Sequence, residues 1–288
     1  MTNPMGLMKP KTLQLNELNY PQIAQLKYDG VRLLTLVRGD KPTFWTYNGK
    51  QIPLPRLKSQ LQESGIEQTM SDCEIIICGG TVKDRPSVSG MINSARCGGS
   101  INESILQCAT FDTMPITQYD AKYCPTNYRN RYNNVQELTR RVGPYLATAR
   151  NIMVNSVVEA QTLVEQIWAD DLEGLILKRW EHLYSFKRDK AWARIVNVKK
   201  ADLLCVDTTR GTKKYTDMIG ALVLEGIAEG KNIKVKAGTG FKDIDRAMPP
   251  DWYINHTIEV KYKHVIQDSV TKQWSLYGCR YVCRRFDK

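Results

Sequence analysis

Apolar side chains along the first half of this 288-residue chain come in short runs broken by turn-forming residues. Arg32–Val37 and Thr43–Tyr47 read as strands joined at Gly39-Asp40, with Asn48-Gly49 as the next turn. Cys73–Cys78 (Cys-Glu-Ile-Ile-Ile-Cys) is an uninterrupted apolar run of the buried-strand kind, stopped by Gly79-Gly80, and Gln107–Thr113 is another strand. Residues 1–23 form a lead-in, in which Pro21 blocks helix continuation. Pro55–Glu63 reads as a short helix, and small residues around Met91 and Ile92 make Ser87–Cys97 a second one. The spacing then lengthens. Tyr128–Val142 and Val157–Ala169 carry the periodicity of amphipathic helices, before Gly174–Arg179 and Ile195–Lys199 return to strand.

After Lys200 helical spacing nearly vanishes, except around Asp243–Ala247. Leu203–Asp207, Ala221–Glu225, Ile233–Lys236, Thr257–Tyr262 and Tyr281–Arg284 are short strands separated by turns, the pattern of a small β-barrel. The expected organisation is an α+β domain over residues 1–200 followed by a β-barrel domain over 201–288. No internal repeat or low-complexity segment interrupts either part.

Composition adds a partner class. Lys and Arg total 41 against 30 Asp and Glu, a formal net charge of +11, which points to a polyanion and to nucleic acid before membrane. Met1–Leu15 has no apolar core of a signal peptide, and no apolar run is long enough to span a bilayer. The eight cysteines show no metal-type pairing and read as reduced thiols of a cytoplasmic protein. His182, His256 and His264 are too dispersed for a zinc site.

The chemistry gathers at Ala24-Gln25-Leu26-Lys27-Tyr28-Asp29-Gly30-Val31-Arg32. Asp29-Gly30 signals a tight turn, which leaves the Lys27 amine free to enter a cleft. A lysine amine is a covalent nucleophile once it has lost its proton. Taken alone, the stretch is more readily an ordinary surface turn carrying Lys, Asp and Arg. It resembles the KxDGxR signature of covalent nucleotidyltransferases, which include DNA ligases, RNA ligases and mRNA capping enzymes. Asp171-Leu172-Glu173-Gly174-Leu175-Ile176-Leu177-Lys178 resembles the family's E-G-Φ-Φ-Φ-K strand without substitution. Asp72-Cys73-Glu74-Ile75-Ile76 resembles its D-G-E-Φ-Φ strand, and Ala109-Thr110-Phe111-Asp112 its purine-stacking element. Ile233–Phe241 and Ile258–Tyr262 resemble strands of the ligase OB domain, and Arg285-Phe286-Asp287-Lys288 resembles the RxDK element of DNA ligases. Two positions depart from the pattern. Tyr47 stands where the S-R-x-G turn has arginine, and Asn197 where K-x-K has its first lysine.

The resemblance covers essentially the whole chain and is nearest to ATP-dependent DNA ligases of tailed phages. It implies an α+β nucleotidyltransferase domain of antiparallel, ATP-grasp-like sheets with helices, followed by an OB-fold barrel, without the N-terminal DNA-binding domain of larger relatives. It implies ATP and Mg²⁺ (or Mn²⁺ in its place), nicked duplex DNA as substrate, and action as a monomer. Lys27 would be the nucleophile, with Gln25, Leu26, Arg32, Glu74, Phe111, Glu173, Lys178, Lys199, Arg285 and Lys288 around ATP or AMP. Glu173, Asp29 and Glu74 would face the metal. Lys50, Arg56, Lys187, Arg188, Lys236 and Lys242 would meet DNA phosphates, with Lys50 or Arg56 covering for the arginine absent at Tyr47. Glu173 and Lys178 lie an odd number of residues apart, so a bend or an edge position must bring both to the cleft. An RNA ligase, a capping-type guanylyltransferase, and a catalytically degenerate OB-fold DNA-binding protein remain the alternatives.

Overall fold

The computed structural model describes residues 5–80, 84–268 and 270–287. The chain divides into two compact units, Met1–Val196 and Asn197–Lys288.

Two five-stranded sheets, with a two-stranded one of Leu183–Tyr184 and Cys124–Asn127, build the first unit. One runs in the order Lys41–Thr46, Val31–Arg38, Thr69–Ile77, Leu106–Pro115, Leu146–Thr148; the other runs Lys9–Thr12, Arg188–Val196, Gly174–Lys178, Gln22–Leu26, Asn151–Val154. The Leu-Leu-Thr-Leu-Val run explains why the first sheet is central. Leu33 and Val37 face a core shared with helices Pro55–Glu63, Arg85–Arg96 and Tyr128–Val142, while Leu34 and Leu36 face a second core containing Trp192 of the other five-stranded sheet and Tyr184 of the two-stranded one. A strand covered on both faces reads as a nearly continuous apolar run, not as apolar at alternate positions. On the second sheet, Ala24, Leu175 and Leu177 point away from that shared core and pack with Ala160 and Val164 of helix Val157–Ala169. The cleft therefore lies between two sheets, each backed by helices.

Helices Pro55–Glu63, Tyr128–Val142 and Val157–Ala169 occupy the expected residues, because their apolar spacing and their ends are local. Ser156 Oγ accepts from the Glu159 N–H and Asn127 Oδ1 from the Asn130 N–H, N-caps that polar side chains supply. Other expectations are corrected. The lead-in carries strands Lys9–Thr12 and Gln22–Leu26 and a short 3₁₀ turn at Leu15–Glu17. Pro10 is tolerated because Lys9–Thr12 is an edge strand, paired on one side and in parallel with Arg188–Val196. The strand expected at Ile195–Lys199 is two strands, Arg188–Val196 and Lys199–Arg210, with Asn197-Val198 between them. Asp29-Gly30 lies in an open loop joining one sheet to the other.

The second unit is a seven-stranded sheet in the order His264–Gln267, Trp274–Tyr277, Lys231–Ala237, Ile219–Ala228, Lys199–Arg210, Thr257–Tyr262, Arg280–Arg284. Strict alternation in Lys231–Ala237 buries Ile233, Val235 and Ala237 and leaves Lys234 and Lys236 exposed. The buried set packs with Leu203, Leu222, Leu224, Ile258 and Tyr253. Arg246 is buried at its edge, donating to the carbonyls of Ile219, Gly220 and Gly238 at 2.7 Å each. Those bonds answer the cost of burying a cation beside backbone acceptors.

Candidate active site

The Lys27 loop is held by close backbone approaches. A Cβ on Gly30 would stand 1.9 Å from the Ile75 carbonyl oxygen, so only glycine passes that strand. The Gly30 N–H donates to Glu74 Oε1 at 3.2 Å, and the Lys27 N–H donates to the Gly174 carbonyl at 2.8 Å. Gly174 has φ +145°, and a Cβ there would lie 2.1 Å from the Ile195 carbonyl oxygen. Gly174–Lys178 is a central strand, so of the two expected devices it is a bend, this left-handed start, that is present. It sends the Glu173 carboxylate into an ion pair with the Lys27 ammonium, while Ile176 and Lys178 face the space between the sheets.

Lys27, Leu26 and Tyr28 line two cavities. The larger, about 280 Å³, is walled by Gln25, Phe111, Ile176, Trp192 and Tyr47. Its lining includes six cations (Lys9, Lys27, Arg32, Lys178, Arg188, Arg194) and, among the described residues, the single carboxylate of Glu74. The smaller, about 260 Å³, is acidic: Asp29, Asp84 and Glu173 line it with Gly79 and Gly80. Lys27 thus stands between an electropositive chamber and an acidic one.

Lys178 lines the larger cavity and is buried to 1% exposure. Its Nζ donates to Gln25 Oε1 at 2.7 Å and to the Tyr128 hydroxyl at 3.1 Å, and lies 4.3 Å from the Trp192 ring centroid. Burial pushes its pKa down to about 7, opposed by Asp112 and reinforced by Arg131. Gln25 Nε2 donates to Asn151 Oδ1 at 2.9 Å and to the Ala149 carbonyl at 3.3 Å. The acceptor-only Ala149 carbonyl takes the amide nitrogen, which turns the amide oxygen to the Lys178 Nζ and so sets the polarity of the Gln25 amide. With both amide protons engaged, its remaining capacity is that of an acceptor. The Trp192 indole N–H is buried and has no protein acceptor among the described residues.

Three hydrogen bonds to two partners tie Arg32 down. It donates to both Asp72 oxygens at 2.8 and 2.6 Å and to the Met8 carbonyl at 2.7 Å, which holds it firmly charged. Beside it, Arg131 and Asp112 form a fully buried pair at 2.7 Å.

Of the residues singled out from sequence, Lys27, Gln25, Leu26, Arg32, Glu74, Phe111, Lys178 and Arg188 line the larger cavity. Glu173 and Asp29 line the smaller. Among the described residues no three acidic, histidine or cysteine side chains form a ready-made metal cage. Lys50, Arg56 and Lys187 are exposed and line neither cavity. Lys199, Arg285, Lys236 and Lys242 belong to the second unit. There Lys199 pairs with Glu229 at 3.0 Å and Arg285 with Glu259 at 2.9 Å and Asp287 at 2.6 Å; Lys236 and Lys242 are exposed. Lys288 lies outside the described residues. Sequence reasoning missed Lys9, Tyr128, Asn151, Trp192 and Arg194. None sits in a motif: strand pairing brings in Lys9, Asn151, Trp192 and Arg194, and the first turn of helix Tyr128–Val142 brings in Tyr128.

A lysine paired with a carboxylate on the wall of a cation-lined cleft between two sheets, followed by a seven-stranded β unit, defines a covalent nucleotidyltransferase architecture. The family model for the ATP dependent DNA ligase domain matches residues 8–195, and that for the DNA ligase OB-like domain matches residues 210–273. The chain therefore belongs to the ATP-dependent DNA ligase family, with a nucleotidyltransferase domain followed by an OB-fold domain. The DNA ligase of Enterobacteria phage T4 is 26% identical over 266 residues, covering 78% of this chain and 54% of the relative. That of Thermococcus onnurineus is 23% identical over 243 residues, covering 80% and 42%. The chain thus spans about half the length of these curated relatives. A Lig E DNA ligase described as binding DNA with a minimal scaffold superposes with TM-score 0.77 at 19% identity, over 97% of this chain and 99% of that one. The bacteriophage T7 ATP-dependent DNA ligase, solved with ATP, gives 0.58 at 18% over 98% and 99%. At these identities the structural likeness is one of fold. Among the described residues no helix is long and apolar enough to cross a membrane.

Proposed function

We propose that the chain is an ATP-dependent DNA ligase that seals 5′-phosphate/3′-hydroxyl nicks in duplex DNA through a lysyl-AMP intermediate on Lys27. The observation that carries this reading is the placement of Lys27 between the electropositive cavity and the Glu173 carboxylate. The larger cavity takes the adenosine. Phe111 and Ile176 supply apolar contact for the base, and Gln25, left with acceptor capacity, accepts from the adenine amino group. The guanine oxygen at that place is itself an acceptor and would be repelled.

Attack on the α-phosphate requires the Lys27 amine to lose a proton, and Glu173 is the carboxylate in contact with it. The amine nitrogen bonds to the α-phosphorus as the bond to pyrophosphate breaks. An oxygen of the nick 5′-phosphate next displaces Lys27 from the AMP phosphorus. The 3′-hydroxyl then attacks the activated 5′-phosphate, and AMP leaves. Each step is a displacement at phosphorus that needs positioning and charge neutralisation more than covalent help. Glu173, with Asp29 and Glu74 nearby on the cavity walls, would hold Mg²⁺ together with phosphate oxygens, since this ion is bound by one or two carboxylates plus substrate, not by a full protein cage. The ion would supply charge neutralisation at the phosphates. Residues 1–200 serve adenylylation and 201–288 serve as the OB domain, with Lys199, Arg285 and Lys288 acting at the triphosphate. Lys50, Arg56, Lys187, Arg188, Lys236 and Lys242 engage DNA phosphates. The protein acts as a monomer in the cytoplasm, that of the host if phage-encoded.

Incubation with α-labelled ATP and Mg²⁺, with GTP in parallel, tests the reading. Expected is an acid-labile label with ATP alone, absent from Lys27→Ala and cleared by nicked duplex. No label on protein first stripped of AMP with pyrophosphate overturns it.

A further inference from the structure

The turn that carries an arginine in the family carries Tyr47 here, and neither Lys50 nor Arg56 reaches the cleft in its place. A different cation does. Lys9 Nζ lies 4.2 Å from the centroid of the Tyr47 ring, and both residues line the larger cavity. We infer that Lys9, with Arg188 and Arg194 beside it on the same wall, is a docking site for a terminal phosphate group, a monoester dianion, which Tyr47 shapes by holding the ammonium on its ring. The inference deepens the ligase reading and rests on it for the identity of the anion.

Strand pairing makes the site. Lys9–Thr12 runs parallel to Arg188–Val196, with Lys9 opposite Arg188 and Thr12 opposite Arg194. The backbone around Lys9 is fixed on both sides. The Met8 N–H donates to the Tyr184 hydroxyl at 2.9 Å, the Met8 carbonyl accepts from Arg32 at 2.7 Å, and the Lys9 N–H donates to the Lys187 carbonyl at 3.0 Å. The guanidinium groups are anchored too, Arg188 on the Pro10 carbonyl and Arg194 on Thr12 Oγ1. The Lys9 ammonium makes no ion pair among the described residues. An aromatic face attracts a cation without neutralising it, so the charge stays available to an anion. Burial, with Arg188 and Arg32 nearby, lowers the Lys9 pKa. A gathering of like charges on a cleft wall is relieved by a bound dianion.

Two phosphates have this chemistry, the end of the ATP triphosphate and the 5′-phosphate of a nick. Binding to Lys27→Ala protein in Mg²⁺, where no covalent adenylate forms, separates them. The readouts are the preference for ATP over AMP and the preference for a nicked duplex bearing a 5′-phosphate over one bearing a 5′-hydroxyl. Lys9→Met added to this protein is expected to reduce one preference about tenfold or more, the worth of a charge-assisted bond. The preference that falls names the source. Lys9→Arg should keep it, and Tyr47→Arg placed on Lys9→Met should restore it. Both preferences unchanged within about twofold, in protein with an unaltered unfolding midpoint, overturn the inference. So does an equal loss for AMP and the 5′-hydroxyl duplex, which would mark a structural role. Failure of wild-type protein to label at Lys27 would sink the ligase reading while leaving these ratios readable.

Discussion

Replacing Lys178 with methionine should change how the protein's stability depends on pH, not merely its level. The Lys178 ammonium is buried against Tyr128, Trp192 and Gln25, and burial lowers its pKa from 10.5 to about 7. Below about pH 7 the lysine carries its proton whether the chain is folded or not, and the folded state bears the burden of a buried charge. Between about 7 and 10.5 the unfolded chain keeps the proton and the folded chain releases it, so this group makes stability rise with pH. The slope approaches about 1.4 kcal/mol per pH unit, which integrates to about 2.5 kcal/mol between about pH 7.5 and 9.5. Lys178→Met keeps most of the volume and cannot titrate. Loss of the bonds to Gln25 and Tyr128 adds an offset that does not depend on pH. Urea denaturation of both proteins across that range gives the difference directly, because all other titrating groups are common to both. The wild type should gain on the variant by about 2.5 kcal/mol as pH rises. Parallel stability curves would refute the reasoning and show that Lys178 keeps an ordinary affinity for its proton.

Three further outcomes follow from the same geometry. Glu173→Gln should slow single-turnover formation of the Lys27 adenylate by about 10²–10⁴-fold, with a rate within about threefold of wild type counting against proton acceptance by this residue. Gly174→Ala should cost about 3 kcal/mol or more in thermal unfolding, since its Cβ would meet the Ile195 carbonyl at 2.1 Å; an unchanged midpoint would show that the strand can shift. Asp112→Ala should cost about 3–5 kcal/mol by leaving Arg131 charged and buried. Combining Asp112→Leu with Arg131→Met should recover much of that, and equal stability of the single and double variants would deny the pair its role.

The local half of the design was open to a reader of the chain. Runs such as Leu33–Val37 and Leu175–Leu177 specify strands covered on both faces, and the amphipathic spacing of Tyr128–Val142 specifies a helix, because period and capping are properties of neighbouring residues. The glycines after Asp29 and Glu173 also announce themselves, since only glycine allows the backbone approaches seen at Gly30 and Gly174. Strands shorter or more polar, such as Leu146–Thr148, Asn151–Val154 and Leu183–Tyr184, were not legible. They exist because a partner strand offers hydrogen bonds, which no local pattern encodes.

The chemistry divides along the same line. Sequence alone determined the nucleophile candidate Lys27, the carboxylate Glu173 and the strand bearing Lys178, since each belongs to a contiguous motif. Only the tertiary structure decided what surrounds them. Gln25 meets Asn151 across 126 positions, Lys178 meets Tyr128 across 50, and Met8 meets Tyr184 across 176. These pairings depend on which strands lie side by side and in what register, which is settled when both faces of each sheet are buried at once. The burial that lowers the Lys178 pKa, and the parallel strand that brings Lys9 over Tyr47, arise at that step and have no signature in the residues on either side.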